Sequence, residues 1–297
     1  MLKALKNAVE AITPLLDKDI LLVAGAGKSG TTWLQRMMNT HPEIFCPGEG
    51  KFLHMLGGIT QGLGAYNRKL HTANQVVYDN KGFYAEWSDR DFQAIVQFFI
   101  AMSWAKASGK DLSGVRYIGD KDTEYGTNIT AWRDMALPGA KLIHAIRDGR
   151  DTAVSHMHHI ARMQGTPMPT GSKLHAFISS YARDWAKDIV GFRNAYRDLP
   201  ELYCEVRYED LLAEPALHMT RIFDFLGVAK DADLVASVVE QNAFKKLSGG
   251  RERGSEDSSS FYRKGISGDW KNHFDRKSAQ MFEKEAGSVL KELGYES

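Results

Sequence analysis

Apolar runs broken by glycine and charge divide the chain into stretches that alternate between strand and helix. Met1 to Leu16 carries apolar residues at helical spacing and predicts a short amphipathic helix. Ile20 to Ala24 predicts a buried strand, and Thr31 to Asn39 the helix after it, ended by His41-Pro42. Gly57 to Asn80, rich in Gly, Asn and aromatics, has no clean period and reads as a long loop or a set of short pieces, a common setting for a binding site. Phe92 to Lys106 is helical by pattern and Arg116 to Gly119 predicts a short strand. Lys141 to Ile146 predicts a strand, followed by the turn "RDGRD" and a helix from about Thr152. Leu174 to Tyr196 predicts a long helix, Leu202 to Val206 a strand, and Ala216 to Leu226 and Asp231 to Asn242 two more helices. The polar stretch "SGGRERGSEDSSS" beyond them is expected to be mobile without ligand.

Strands alternating with helices predict an α/β fold, a central, mostly parallel sheet covered by helices on both faces. Ligands in such folds gather at the C-terminal ends of the strands. No internal repeat stands out, and residues 1–297 read as one domain. Composition narrows the picture. Lys and Arg number 38 against 37 Asp and Glu, so no global charge argues for nucleic acid or an anionic membrane as partner. Any anion must be bound by local clustering. Two cysteines far apart, Cys46 and Cys204, fit small buried residues in a reducing compartment. No apolar run reaches the roughly 18 residues of a spanning helix, and the N-terminus is broken by charge and Pro14, so a cytoplasmic protein is expected.

The first strand runs into "GAGKSGTTW", Gly25 to Trp33. A full nucleotide P-loop needs glycine where Leu22 stands, so this loop is shorter, with room for about one anionic group at a helix N-terminus. Two further basic elements fall in loops or at strand ends: "AIRDGRDTAVS" (Ala145 to Ser155) and "FYRKGISGDWKNHF" (Phe261 to Phe274). Taken singly, each is equally well a solvated charge cluster.

Together they resemble the sulfotransferases that use 3′-phosphoadenosine 5′-phosphosulfate (PAPS) and release PAP. "KSGTTW" (Lys28 to Trp33) is similar to the family's 5′-phosphosulfate loop and "IRDGRDTAVS" (Ile146 to Ser155) to its 3′-phosphate element. "RKGISGDWKNHF" (Arg263 to Phe274) is similar to the C-terminal signature of the cytosolic branch. The resemblance implies a P-loop-like PAPS sulfotransferase fold and sulfuryl transfer to a hydroxyl by direct in-line attack, without a metal. It implies that Gly27, Lys28, Ser29, Gly30, Thr31 and Thr32 hold the 5′-phosphosulfate, and that Arg147, Ser155, Arg263, Lys264 and Gly265 hold the 3′-phosphate. Trp33 would stack on adenine or fill the core, and Tyr208 in "VRYEDLL" would contact adenine or serve packing. Lys28 would act on the bridging oxygen, with Lys121 in "GDKDTEYG" as a second cation near the transferred group.

Cytosolic members carry a histidine two residues after the lysine that Lys121 matches; here that position is Thr123. The tyrosylprotein and heparan branches use a glutamate instead, and "HPEIFCPGEGKF" offers Glu49 as general base, with His54 and His144 in reserve. The "HMHH" cluster at His156 to His159 reads as surface or acceptor-cleft histidines, because helical spacing splits it across faces. The sequence leaves the acceptor open among a small alcohol or phenol, a polyketide-like β-hydroxy acyl chain and a peptide tyrosine, with a small molecule preferred. Gly57 to Asn80 and Phe83, Tyr84, Trp87, Phe98, Phe99 and Trp104 would wall it, unless those aromatics are plain core, as most are expected to be. Two other readings stand beside this one: a small-molecule kinase with a degenerate P-loop, and a PAP-binding module without catalysis. The family's dimer motif is replaced after "KNHF" by Asp275 and Arg276, so the oligomeric state stays open.

Overall fold

A computed structural model describes residues 2–79, 81–109 and 111–295. Met1 and Asn80, at the edges of two expected segments, lie outside the described residues, as do Glu296 and Ser297. In chain order the elements begin α1 (Lys3–Ile12), β1 (Asp19–Ala24), α2 (Thr31–Thr40), β2 (Ile44–Phe45), α3 (Phe52–Tyr78) and α4 (Asp89–Ser108). They continue β3 (Tyr117–Lys121), α5 (Ile129–Ala131), β4 (Lys141–Ile146), α6 (Gly149–Gln164), α7 (Gly171–Ala195) and β5 (Tyr203–Arg207). The last are α8 (Tyr208–Ala213), α9 (Pro215–Leu226), α10 (Ala232–Gln241), α11 (Phe244–Leu247) and α12 (Arg276–Glu292).

The five strands form one parallel sheet in the order β2-β3-β1-β4-β5. Alternation along β1 divides the core. Leu22 and Ala24 pack on one face with Ile118, Trp104 and Trp132, while Leu21 and Val23 pack on the other with Tyr117, Ile143 and Phe223. Leu21 to Ala24 are fully buried, as expected of a strand covered on both faces. A third apolar cluster joins α6 and α7 to α12 through Val154, Trp185 and Phe282.

One expectation fails plainly. Gly57 to Asn80 is not a loop; its described residues through Tyr78 belong to the 27-residue helix α3. Four glycines and a mostly exposed surface erased the apolar period that would have announced it. Asn67 and Asn74 pin the chain that follows: the Asn74 side chain accepts from the Tyr84 N–H (2.9 Å) and donates to its carbonyl (2.9 Å). Asn67 makes the same pair of bonds with Trp87. Among the described residues, no helix is long and apolar enough to cross a membrane.

Candidate active site

Every strand of the sheet hands a side chain to the same crevice. The glycine turn follows β1, Glu49 follows β2, Lys121 is the last residue of β3, Arg147 follows β4 and Tyr208 follows β5. All of them line one cavity of about 440 Å³. β3 runs two residues past its expected end, which carries Lys121 into the sheet edge beside Val23.

The turn after β1 is shaped by close packing. A side chain on Gly25 (φ 148°) would lie 2.2 Å from the Ala145 carbonyl oxygen, and one on Gly30 (φ 87°) 2.6 Å from the Tyr208 ring. Lys28 itself takes a left-handed backbone, φ 73°, which an L-residue adopts at a cost of about 1–2 kcal/mol. The N-cap of α2 is Gly30, which has no side chain to cap the helix, so its first N–H groups are open to a ligand. Thr31, Thr32 and Trp33 reach the cavity wall, whereas Ser29 is buried behind it and its hydroxyl finds no protein partner among the described residues. The Trp33 ring meets Tyr208 edge to face at 5.8 Å, and its N–H donates to the Asn242 carbonyl at 2.9 Å.

Lys28 Nζ lies 4.4 Å from the centre of the Phe261 ring. Burial, then the positive charges of Arg162, Lys121 and Arg147, push its ammonium down to about 8. Lys121 Nζ donates to Glu49 Oε1 at 2.5 Å, and Lys51 Nζ lies 2.7 Å from Oε2. Partial burial would raise the Glu49 carboxyl, but hydrogen bonds from these two lysines outweigh it and hold the group below its usual range. Buried Asp120 fixes the backbone beneath, accepting from the Gly50 N–H (2.9 Å) and the Tyr125 hydroxyl (2.7 Å).

The same cavity carries further basic side chains. Arg147 donates to the carbonyls of Lys28 (3.2 Å) and Ile266 (2.9 Å), its guanidinium lies 4.4 Å from the centre of the Tyr208 ring, and its Nε is buried without a protein partner among the described residues. Asp151 on α6 accepts from the Gly268 N–H (2.6 Å) and the Trp270 N–H (2.9 Å), docking the C-terminal segment against Arg147 and Ser155. Arg263 and Lys264 are already paired: Asp269 takes both, at 2.5 and 2.7 Å, and Glu256 lies 2.8 Å from Arg263. Gly265 (φ 67°) packs so closely that a side chain there would meet Phe244 at 2.5 Å.

The reserve bases fall elsewhere. His144 is fully buried in the sheet, bonded through Nδ1 to the Tyr203 hydroxyl at 2.7 Å and pushed down to about 4 by burial. It has no route to the cavity and is withdrawn as a base. His54 lines a second cavity of about 370 Å³ and lies 3.0 Å from Glu124. His156 and His159 do line the main cavity, while His158 turns to His273. The aromatics expected as acceptor walls or as core divide between core and surface. Trp104 is core, Phe83, Tyr84 and Trp87 are exposed, and none of these, nor Phe98 or Phe99, lines the cavity; Phe244, Phe261 and Tyr262 do. Sequence reasoning missed Lys51 and Asp120, whose partners Asp122, Glu124 and Gly50 the sheet brings in, and Arg253 and Glu256, which meet Leu212 and Arg263. The segment expected to be mobile is laced by Arg251, which donates to the carbonyls of Ser248, Ser255, Tyr262 and Arg263.

This is a parallel α/β fold with a glycine turn and a cation-lined crevice at the strand ends. The model of the sulfotransferase family matches residues 21–232, and the chain belongs to that family. Flavonol 3-sulfotransferase of Flaveria bidentis is 27% identical over 175 residues, 52% of this chain and 55% of that protein. Sulfotransferase 1A1 of Bos taurus is 26% identical over 156 residues, 48% of this chain and 52% of that protein. The chain thus spans about half the length of the curated relatives it matches. Mouse sulfotransferase SULT7A1 complexed with PAP shares the fold, with a TM-score of 0.57, 18% identity and coverage of 93% of this chain and 85% of that one. So does the sulfotransferase domain of the Synechococcus PCC 7002 olefin synthase, at a TM-score of 0.54, 18% identity and coverage of 95% and 96%.

Proposed function

We propose that this chain transfers a sulfuryl group from PAPS to the hydroxyl of a small-molecule acceptor. The observation that carries the reading is the convergence of the glycine turn, Arg147 and the Arg263–Gly265 segment on one cavity that the Glu49–Lys121 pair also lines. The cavity suits an elongated ligand with two separated anionic groups: an uncapped helix N-terminus at one place, and buried Arg147 with an unpartnered Nε at another. A kinase with a degenerate P-loop is not favoured, and the Glu49–Lys121 pair argues against a module without catalysis. A cytoplasmic location and an alcohol or phenol acceptor belong to the same reading; two curated relatives carry flavonol in their names.

When bound, PAPS supplies a sulfuryl group whose bond to the 5′-phosphate is the one broken. Gly27, Gly30 and the start of α2, with Thr31 and Thr32, would bind that end, while Ser29, whose N–H is spent on the Ala26 carbonyl, stays behind the wall. Arg147, Ser155, Arg263, Lys264 and Gly265 would bind the 3′-phosphate, and Trp33 and Tyr208 would contact the base. Glu49 takes the proton of the acceptor hydroxyl as its oxygen bonds to sulfur. Lys28 and Lys121 place positive charge where the leaving oxygen gains negative charge, a role in which preorganised cations are strongest when water is excluded.

PAP is expected to raise the melting temperature well above the effect of equimolar ATP with Mg²⁺, because a ligand bound only by the native state stabilises it by RT ln(1 + [L]/Kd). Equal or larger stabilisation by ATP, read by differential scanning fluorimetry, removes the assignment. A second expectation concerns Glu256, which is partly exposed and pairs with Arg263, leaving Asp269, buried and also bonded to Asn272, as the permanent scaffold. A carboxylate there competes with the 3′-phosphate. Glu256→Gln is expected to bind PAP about 2–5-fold more tightly by calorimetry, the worth of one partly exposed ion pair. Weaker or unchanged binding means that Glu256 does not occupy the phosphate's place.

A further inference from the structure

Three described non-glycine residues take a left-handed backbone, and two of them, Lys28 and Lys51, are lysines on the cavity wall. Such a conformation disfavours any L side chain, and it persists where the surroundings over-determine it. For Lys51 (φ 50°) the surroundings are three carboxylates. Nζ lies 2.7 Å from Glu49 Oε2, 3.1 Å from Glu124 Oε1 and 3.3 Å from Asp122 Oδ1. Asp122 is buried, and its Oδ1 also accepts the Glu124 N–H at 3.1 Å, so the anchor behind Lys51 is fixed. Glu124 in turn is held by His54.

We infer that Lys51 positions Glu49: it fixes the orientation of the carboxylate and stabilises its ionised form. The inference rests on the role proposed for Glu49. The groups facing Glu49 come from three places: Lys121 at the end of β3, Lys51 at the entry to α3, and Lys28 farther off in the glycine turn. Asp122 and Glu124 face Lys51, and Asp120 is bonded to Gly50 and Tyr125. Lys121 holds one oxygen and Lys51 the other, so neither lysine alone sets the plane of the carboxylate. Burial lowers the Lys51 ammonium, but hydrogen bonds to Glu49 and Glu124 reverse this and raise it, so Lys51 keeps its charge across the neutral range.

The test follows the Glu49 carboxyl itself by ¹³C NMR in the full chain, assigned with Glu49→Gln. Lys51→Met removes the ammonium, and Lys51→Gly removes it while suiting the left-handed backbone, which guards against a variant that fails to fold. In both, the Glu49 midpoint is expected to rise by about one pH unit, and Lys51→Arg to restore most of the difference. The acid limb of kcat/KM for 4-nitrophenol is expected to shift upward with it. A midpoint that stays put in both variants overturns the inference. A midpoint that moves in a protein that sulfates no hydroxyl acceptor supports the link between Lys51 and Glu49 and removes the sulfotransferase reading instead.

Discussion

Glu49→Gln is expected to lower kcat by about 10²–10⁴-fold, the usual worth of a positioned general base. PAP affinity should be nearly unchanged, because the donor's phosphates are assigned to other side chains. The substitution keeps the shape of the side chain and removes its capacity to take a proton. His54→Ala and His144→Ala provide the comparison. His54 faces the second cavity, so its loss should cost little in kcat. His144 packs against Phe192 inside the sheet, so its loss should lower stability while leaving the chemistry to the folded fraction. A Glu49→Gln enzyme within a few-fold of the parent, measured with one good acceptor, would move the base elsewhere, first to His156 or His159 on the cavity wall.

Lys28→Gly should separate stability from activity. The left-handed backbone at Lys28 is one that glycine adopts without strain, so the variant should be no more than about 1 kcal/mol less stable than the parent, and relief of strain can make it more so. Its rate should nonetheless fall by about 10²–10³-fold, the loss seen when one donor to a developing charge is removed. The pH dependence has a definite sign. The Lys28 ammonium titrates near 8 in the free protein, so it is charged below that value and neutral above it. PAP affinity, measured by calorimetry across the range, should therefore be greatest below about pH 8 and weaken as pH rises through it, an effect that Lys28→Gly should abolish. Affinity that stays flat in the parent would show that Lys28 does not bear on the donor phosphate.

The sheet and its turn were legible because their signals are local. β4 fell on Lys141–Ile146 as expected, and the apolar run of β1 leads directly into the glycine turn. The cavity lining was legible where near neighbours share it, as in Lys28 and Gly30–Trp33 and in Arg263–Gly265. It was not legible where function depends on distant partners. Lys51 is an ordinary surface-type residue until β3 brings Asp122 and Glu124 against it. His144 looked available because sequence does not show which strand residues face an occupied core. Helix α3 was missed for the related reason that a helix with little buried surface carries no periodic stripe.

Asp151 gives the molecule an order of assembly. All five strands are present once the chain reaches Arg207, so the sheet can form while the remainder is still being synthesised. The cation-lined cavity needs later chain as well: Gly268 and Trp270 donate to the Asp151 carboxylate, Arg147 donates to the Ile266 carbonyl, and Arg263 and Lys264 lie on the wall so completed. A nascent or C-terminally shortened chain can thus own a finished sheet and an empty half-site. The basic wall of the cavity is completed last, by closing a loop of more than a hundred residues onto one buried acid.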